Sequence, residues 1–374
     1  RRGEVSSREV CEAAVERATR VNGTLNAICY PQFSGALGQN FPGHAVFAGV
    51  PLLLKDLAQE QAGHPCTYGS RGLKRNVAPQ DSEFVRRARN GGVGEGSATW
   101  TSQYGSVIVA IYNLATSDGM NEAGLAGNML YLVESSYGDP AARNKPLISV
   151  GAWLQYMLDN FATVAEAAEA MADDPLTVIT GEAPNGAPAT VHLALSDASG
   201  DSAIFEFVGG RLTIHHGRDY KVMTNSPTYD QQLAINGYWN LVGGKSFLPG
   251  TVNAADRFAR ASYNLKSATP LKDRRAALAS VFSQVRAIST PLGMSDPEKP
   301  NIASTLWRTV AEHDHRRYYF DSVINPSVFW VDLKDFDLSE GAPAKTLGLN
   351  DPALPGGDVA GLMKEAEPFE FLVP

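Results

Sequence analysis

Cysteine is scarce in this chain: Cys11, Cys29 and Cys66 are the only three, and residues 67–374 contain none. An odd and lopsided set is no disulfide framework, and it leaves the redox compartment unread. Long apolar runs are missing too. The longest, 107–112 and 50–54, fall far short of the roughly 18 residues that span a bilayer, so a soluble chain is expected. Runs of Lys and Arg are also absent, and 32 Lys+Arg against 40 Asp+Glu leave a net charge of −8. Nucleic acid and anionic membrane surfaces are therefore excluded as expected partners, which leaves a small molecule. The sequence starts at Arg1-Arg2 with no Met. The expectation is that a segment upstream, a signal peptide among the candidates, has been lost, and periplasm and cytoplasm both stay open.

What is present is a globular composition: 374 residues, 44% hydrophobic and 19% charged, enough for one large domain or two. Ser6 with Glu9 forms a capping box ahead of a helix whose apolar face is Val10, Ala13, Ala14, Ala18 and Val21. Asn22-Gly23 is read as its end, followed by a short strand from Leu25 to Tyr30. A helix is expected over Asp81 to Arg89. Gly91, Gly92, Gly94 and Gly96 then mark the clearest seam.

Beyond the seam, Tyr104 to Leu114 reads as a buried strand, and Val150 to Phe161 and Thr163 to Met171 as helices. Strands are expected over Thr190 to Ser196, Ala203 to Val208 and Arg211 to His215, the last two joined by a Gly209-Gly210 hairpin. Helices return at Ala254 to Leu265 and Arg274 to Arg286, and strands near Leu306 to Val310, Arg316 to Phe320 and Val328 to Leu333. Grouped helices and meandering strands point to an α+β fold in which helices cover antiparallel sheets. No internal repeat is visible.

Five motifs after the seam carry a resemblance. They are Trp100 to Val107, Ser117 to Leu125, Met223-Thr224-Asn225-Ser226-Pro227-Thr228-Tyr229, Leu248-Pro249-Gly250 with Asp256-Arg257-Phe258, and Arg316 to Phe320. In this order they resemble the choloylglycine hydrolases, the family of penicillin V acylases and conjugated bile acid hydrolases, from about Gly91 to Leu347. The resemblance implies the four-layer αββα sandwich of the N-terminal nucleophile hydrolases, here incomplete, and cleavage of a small linear amide. It also implies association of identical copies, and neither cofactor nor metal. Before the seam, Gly3 to Ser7, Gly49 to Leu57 with its Lys55-Asp56 pair, Gly63 to Ser70, and Asp81 with Val85 to Arg87 resemble the opening of an amidase signature enzyme. There Lys55 would be the base, acting through two serines in a Gly/Ser-rich segment. That segment does not follow. The expected organisation is an amidase-like fragment over 1–92 and an acylase-like domain over 93–374.

The acylase chemistry needs a Cys, Ser or Thr at the start of the mature chain, because its own α-amine serves as base. Cys66, followed by Thr67, is the one cysteine in the family's pattern, and cleavage between Pro65 and Cys66 would be needed to expose it. The 34 residues from Cys66 to Trp100 lack the Arg and Met-Asp-Trp residues that the resemblance calls for. Alternatively Cys66 is an inert cysteine of the amidase-like loop. Asn225 is the candidate oxyanion donor, or else a turn Asn bonding its own backbone. Tyr131 aligns with the residue whose backbone N–H is the second donor, its side chain otherwise a core aromatic. Arg257 aligns with the arginine beside the nucleophile, or else makes a helix-surface salt bridge. His215-His216 and His313-Asp314-His315 read as solvated strand histidines rather than zinc ligands. Three functions stay in play: a thiol amide hydrolase of the penicillin V acylase type, a serine amidase using Lys55, and an inactive fusion or misassembled product that keeps an acyl pocket.

Overall fold

The computed structural model describes residues 6–25, 27–37, 50–56, 59–68, 70–73, 75–80, 82, 85, 97–181, 188–243, 246–294, 304–349, 351, 354–367, 369 and 371. The chain divides into two compact units, Arg1–Ser97 and Ala98–Leu372. The glycine seam and all of the 81–89 helix except Ser82 and Val85 lie outside the described residues.

In the first unit, helices α1 (Ser7–Leu25) and α2 (Phe33–Leu37) precede an irregular stretch. The expected capping box starts α1: Ser6 N–H donates to Glu9 Oε2 at 2.7 Å and Glu9 N–H to Ser6 Oγ at 3.2 Å. The expected strand from Leu25 to Tyr30 is corrected. Leu25 is the last residue of α1, because Asn22 stays in the helix and its amide exchanges bonds of 2.8 and 3.0 Å with the backbone N–H and C=O of Ile28. Those two groups are then not available to a strand partner. Among the described residues of this unit only Cys11, Cys66, Ala78 and Val85 are buried apolar residues, whereas Leu25, Val50, Leu52 and Leu53 are more than half exposed.

The second unit is built on two main sheets, antiparallel except for one short parallel edge pair. Strands β1 (Ser106–Ile111), β2 (Ala115–Asn121) and β3 (Ala126–Tyr131) are followed by β4 (Leu147–Ser149) and helices α3 (Val150–Asn160) and α4 (Val164–Met171). Then come β5 (Thr177–Ile179), β6 (Val191–Ser196), β7 (Ser202–Val208) and β8 (Arg211–His216), and helices α5 (Tyr229–Val242), α6 (Ala254–Ser267) and α7 (Arg274–Ala287). Strands β9 (Trp307–Glu312), β10 (Arg317–Ser322) and β11 (Phe329–Asp332) follow, with short strands β12 (Ala344–Thr346), β13 (Gly357–Asp358) and β14 (Lys364–Ala366). One sheet has six strands in the order β1-β2-β3-β6-β7-β8, and a second has four, β13-β11-β10-β9. The Gly209-Gly210 turn joining β7 to β8 has φ of 58° and 76°, the positive pair that a tight hairpin requires.

Alternation sorts the six-stranded sheet into two faces. Leu193, Leu195, Ala203, Phe205 and Phe207 pack with Trp153, Leu154, Met157 and Leu158 of α3 and with α4. Val109, Met120 and Ala126, on the opposite face, pack with Tyr318, Phe320, Phe329 and Val331 of the four-stranded sheet. Phe282 of α7 joins Val310 and Tyr319. Close approach of α3 depends on glycine, since a Cβ at Gly127 would lie 2.5 Å from Leu154 Cδ1 and one at Gly119 3.1 Å from Leu158 Cδ1.

One polar group sits among the apolar residues that join the two sheets. Asp118 of β2 accepts the Tyr318 hydroxyl, Ser117 Oγ at 3.0 Å and Trp307 Nε1 at 3.3 Å. Burial pushes its carboxyl above the ordinary carboxylate range despite these donors. The native state thus binds the Asp118 proton more tightly than the unfolded chain does. The stability this group contributes is full below about pH 4 and is lost as pH rises through the native value. In Asp118→Asn, urea midpoints measured against pH should fall less steeply above pH 4 than in the parent; an unchanged slope would contradict this account. Limited trypsin digestion should leave a resistant core within residues 98–372, with early cuts before it, because buried backbone resists opening. Early cuts spread evenly over both units would refute the assignment of the core.

Candidate active site

Three of the four candidate residues meet in the second unit. Tyr131 ends β3, Asn225 lies between β8 and α5, and Arg257 is in the first turn of α6. Asn225 Nδ2 donates to the Tyr131 carbonyl at 2.8 Å, and Arg257 donates from Nη2 to Asn225 Oδ1 at 2.6 Å and from Nε to the Val252 carbonyl at 3.0 Å. A second tether to this strand end runs from Val133 N–H to Ser226 Oγ at 3.2 Å. Asn225 therefore does not bond its own turn.

Ladder geometry adds a further donor. Leu132 N–H bonds the Thr190 carbonyl at 3.0 Å, which puts the neighbouring pair Tyr131–Val191 in a non-hydrogen-bonded position. The N–H and C=O of such a residue both point away from that partner strand. The C=O of Tyr131 faces Asn225, and its N–H points to the same side.

Arg257 is half-buried, and among the described residues it has no carboxylate partner, so the helix-surface salt bridge is not what the structure contains. Burial, with Arg260 nearby, pushes its pKa below the usual arginine value. A guanidinium remains charged at neutral pH regardless. This is a fixed cation beside a polarised amide, suited to stabilising an anion.

Cys66 belongs to the first unit. The residue is 3% exposed, and its backbone is locked by Cys66 N–H to Asn76 O at 3.0 Å and Asn76 Nδ2 to Cys66 O at 2.9 Å. Burial raises the thiol pKa, and the negative charges of Glu60 and Asp56 raise it further. Activated thiols have the opposite surroundings. Lys55 is exposed, while Asp56 accepts both the N–H and the hydroxyl of Thr67.

His216 and His315 are exposed, as expected, whereas His215 packs against Tyr220 and Tyr229 and His313, in the β9–β10 turn, is half-buried with Nδ1 2.8 Å from the Gly124 carbonyl. Residues that the pattern did not single out are Glu206, His192 and Gln232, all buried around Asn225's segment. Glu206 carried a readable signal: a lone charge in the otherwise apolar run Ala203 to Val208.

The model of the linear amide C–N hydrolases, choloylglycine hydrolase family, matches residues 76–351. The chain belongs to this family. Penicillin V acylase of Pectobacterium atrosepticum is 46% identical over 306 residues, 76% of this chain and 81% of that protein. The structure of penicillin V acylase from Agrobacterium tumefaciens superposes with a TM-score of 0.70 at 48% identity, covering 75% of this chain and 87% of that one. A variant of the conjugated bile acid hydrolase from Clostridium perfringens shares the fold at a TM-score of 0.54 and 23% identity over 67% of this chain and 85% of its own. An amidase model matches residues 9–114. The amidase-type relatives found there are covered for only 19–25% of their length. Linear amide C–N hydrolysis is the supported reaction class, and neither a serine amidase nor an inactive fusion is favoured.

The surroundings of the cysteines differ enough to measure. Iodoacetamide labelling of the native protein, followed by peptide mass spectrometry, should modify exposed Cys29 at least tenfold faster than Cys66. Equal rates would show that the Cys66 loop opens freely.

Proposed function

We propose that residues 93–374 form an acyl-amide-binding domain of the penicillin V acylase type, built as an incomplete four-layer αββα sandwich, and that residues 1–92 are an amidase-like fragment. The observation that carries this reading is the Asn225 amide, held at Oδ1 by Arg257 and at Nδ2 by the Tyr131 carbonyl. A nucleophile attacking a linear amide moves negative charge onto the carbonyl oxygen. The second N–H of Asn225 and the Tyr131 N–H are the donors proposed to receive it. One such donor is typically worth about 3 to 4 kcal/mol in the transition state. Arg257 adds a positive field that favours both thiolate and oxyanion.

The nucleophile must bring its own base. Cys66 remains linked to Pro65 through a peptide bond, so it has no α-amine, and its thiol is buried beside carboxylates. We therefore assign Cys66 a structural role while the chain is intact, where linear amide hydrolysis needs a nucleophile with a free α-amine. The preferred substrate has an aromatic or aliphatic acyl group. Support comes from the aromatic Tyr131 at the proposed oxyanion position. Association of identical copies belongs to the same proposal.

Purified protein should give a mass that shows no cleavage between Pro65 and Cys66, saturable binding of phenoxymethylpenicillin in calorimetry, weaker binding of a glycine-conjugated bile acid, and, while that bond is intact, penicillin hydrolysis at background. Asn225→Ala should weaken the penicillin binding several-fold, the loss of one hydrogen bond. A fragment beginning at Cys66 together with measurable turnover would overturn the structural role of Cys66. Tighter binding of the bile acid conjugate would overturn the substrate preference.

A further inference from the structure

Four polar side chains that the oxyanion proposal does not use are buried around the segment carrying Asn225: His192 at 0% exposure, Thr224 and Gln232 at 1%, and Glu206 at 2%. Burying such groups is costly unless they are bonded, so their partners show what they are for. Glu206, on β7, accepts the backbone N–H of Tyr229 at 3.1 Å on Oε1 and 2.9 Å on Oε2, and its Oε1 lies 2.8 Å from His192 Nδ1 on β6. Gln232, in the first turn of α5, donates Nε2 to the carbonyls of Asn225 and of Pro227, the latter at 2.8 Å. The Thr224 hydroxyl is within hydrogen-bond distance of Gln232 Oε1, 2.7 Å, and of the Ala254 carbonyl, 3.0 Å.

These contacts bracket Asn225 on both sides. The N-cap residue of α5, Thr228, makes no side-chain cap bond. The first N–H of that helix is capped instead by Glu206, a residue of the six-stranded sheet. His192, which steadies Glu206, sits directly opposite Leu130 on β3, next to Tyr131. Both proposed oxyanion donors are thereby referenced to one rigid element: Tyr131 by belonging to β3, Asn225 through Tyr229, Glu206 and His192. An apolar side chain at 206 or 232 would fill the space but accept or donate nothing.

We infer that Glu206 and Gln232 are positioning residues that hold the Asn225 amide in register with Tyr131. Their functional meaning rests on the oxyanion role proposed for Asn225, but the positioning itself is testable without substrate. Placement within about half an ångström is what such donors need, and loops achieve it only with support of this kind.

The test follows the Asn225 side-chain NH2 signals in the 15N-labelled intact protein, assigned by their loss in Asn225→Asp. Glu206→Ala and Gln232→Met should each move these signals toward those of a solvent-exposed asparagine and speed their hydrogen exchange at least tenfold, while backbone amides of α3 and β6 stay protected. Glu206→Gln, which keeps an acceptor for the Tyr229 N–H, should restore most of the parent position. A remote core change, Phe282→Leu, should leave the signals in place. Unmoved Asn225 signals in folded Gln232→Met, or an equal shift in Phe282→Leu, would overturn the inference; Gln232→Met serves if Glu206→Ala does not fold. If the signals move as expected while phenoxymethylpenicillin affinity stays constant, the positioning stands and the oxyanion reading fails.

Discussion

The second unit is organised around a single planar amide. Asn225 Oδ1 meets a guanidinium, which can only donate, and Nδ2 meets a carbonyl oxygen, which can only accept. Neither contact survives a flip of the amide, so its orientation is dictated by its neighbours. One side chain consequently couples the end of β3, 94 residues before it, to the start of α6, 32 residues after it. Arg257 bonds the Val252 carbonyl and Arg260 the Pro249 and Thr251 carbonyls, so the loop before α6 is drawn in by the same helix.

Buried polar groups of this unit lie where elements join. Asn121 ties the β2–β3 connection to the end of α3, accepting Leu125 N–H and donating to the Leu158 and Phe161 carbonyls. Asp118 and Tyr318 join the two sheets. Arg317 and Asp332 clamp β10 to β11 with bonds of 2.8 and 2.6 Å, which holds the Asp332 carboxyl below its usual range. Several of the motifs that carry the family resemblance are thus joints of the framework rather than chemistry. Shape comes from the apolar faces, and these joints select one register among those the faces would tolerate.

That division explains what could be read from residues alone. Short apolar runs such as Ala203 to Val208 and the Gly209-Gly210 turn specify local geometry through rules that need no distant partner, as do the Thr163 cap of α4 and the capping box at Ser6 and Glu9. Helix α5 escaped because its apolar residues do not share a face: Leu233, Tyr238, Leu241 and Val242 are exposed while Tyr229 and Gln232 are buried. The Leu25 to Tyr30 strand failed because a side chain six residues away took its backbone bonds. At the site, Tyr131, Asn225 and Arg257 were legible only through the family pattern, since their spacing of 94 and 32 residues has no local meaning. Glu206 and His192 oppose each other across a ladder, and that pairing exists only once the strands are registered.

The electrostatics of the two units favour opposite charges. An N-terminal nucleophile works when a thiolate is favoured and an amine beside it can take the proton, and both conditions call for nearby positive charge and a free chain start. Arg257, a cation with no carboxylate partner among the described residues, supplies the first condition in the second unit. Cys66, in the first unit, has Glu60 and Asp56 in its field and a peptide nitrogen where the amine should be. Burial and like charge both hold the proton on sulfur, so adding substrate changes neither. A nucleophile suited to the proposed oxyanion site must be stabilised as an anion and carry its own amine, and the Cys66 loop, as folded, provides neither.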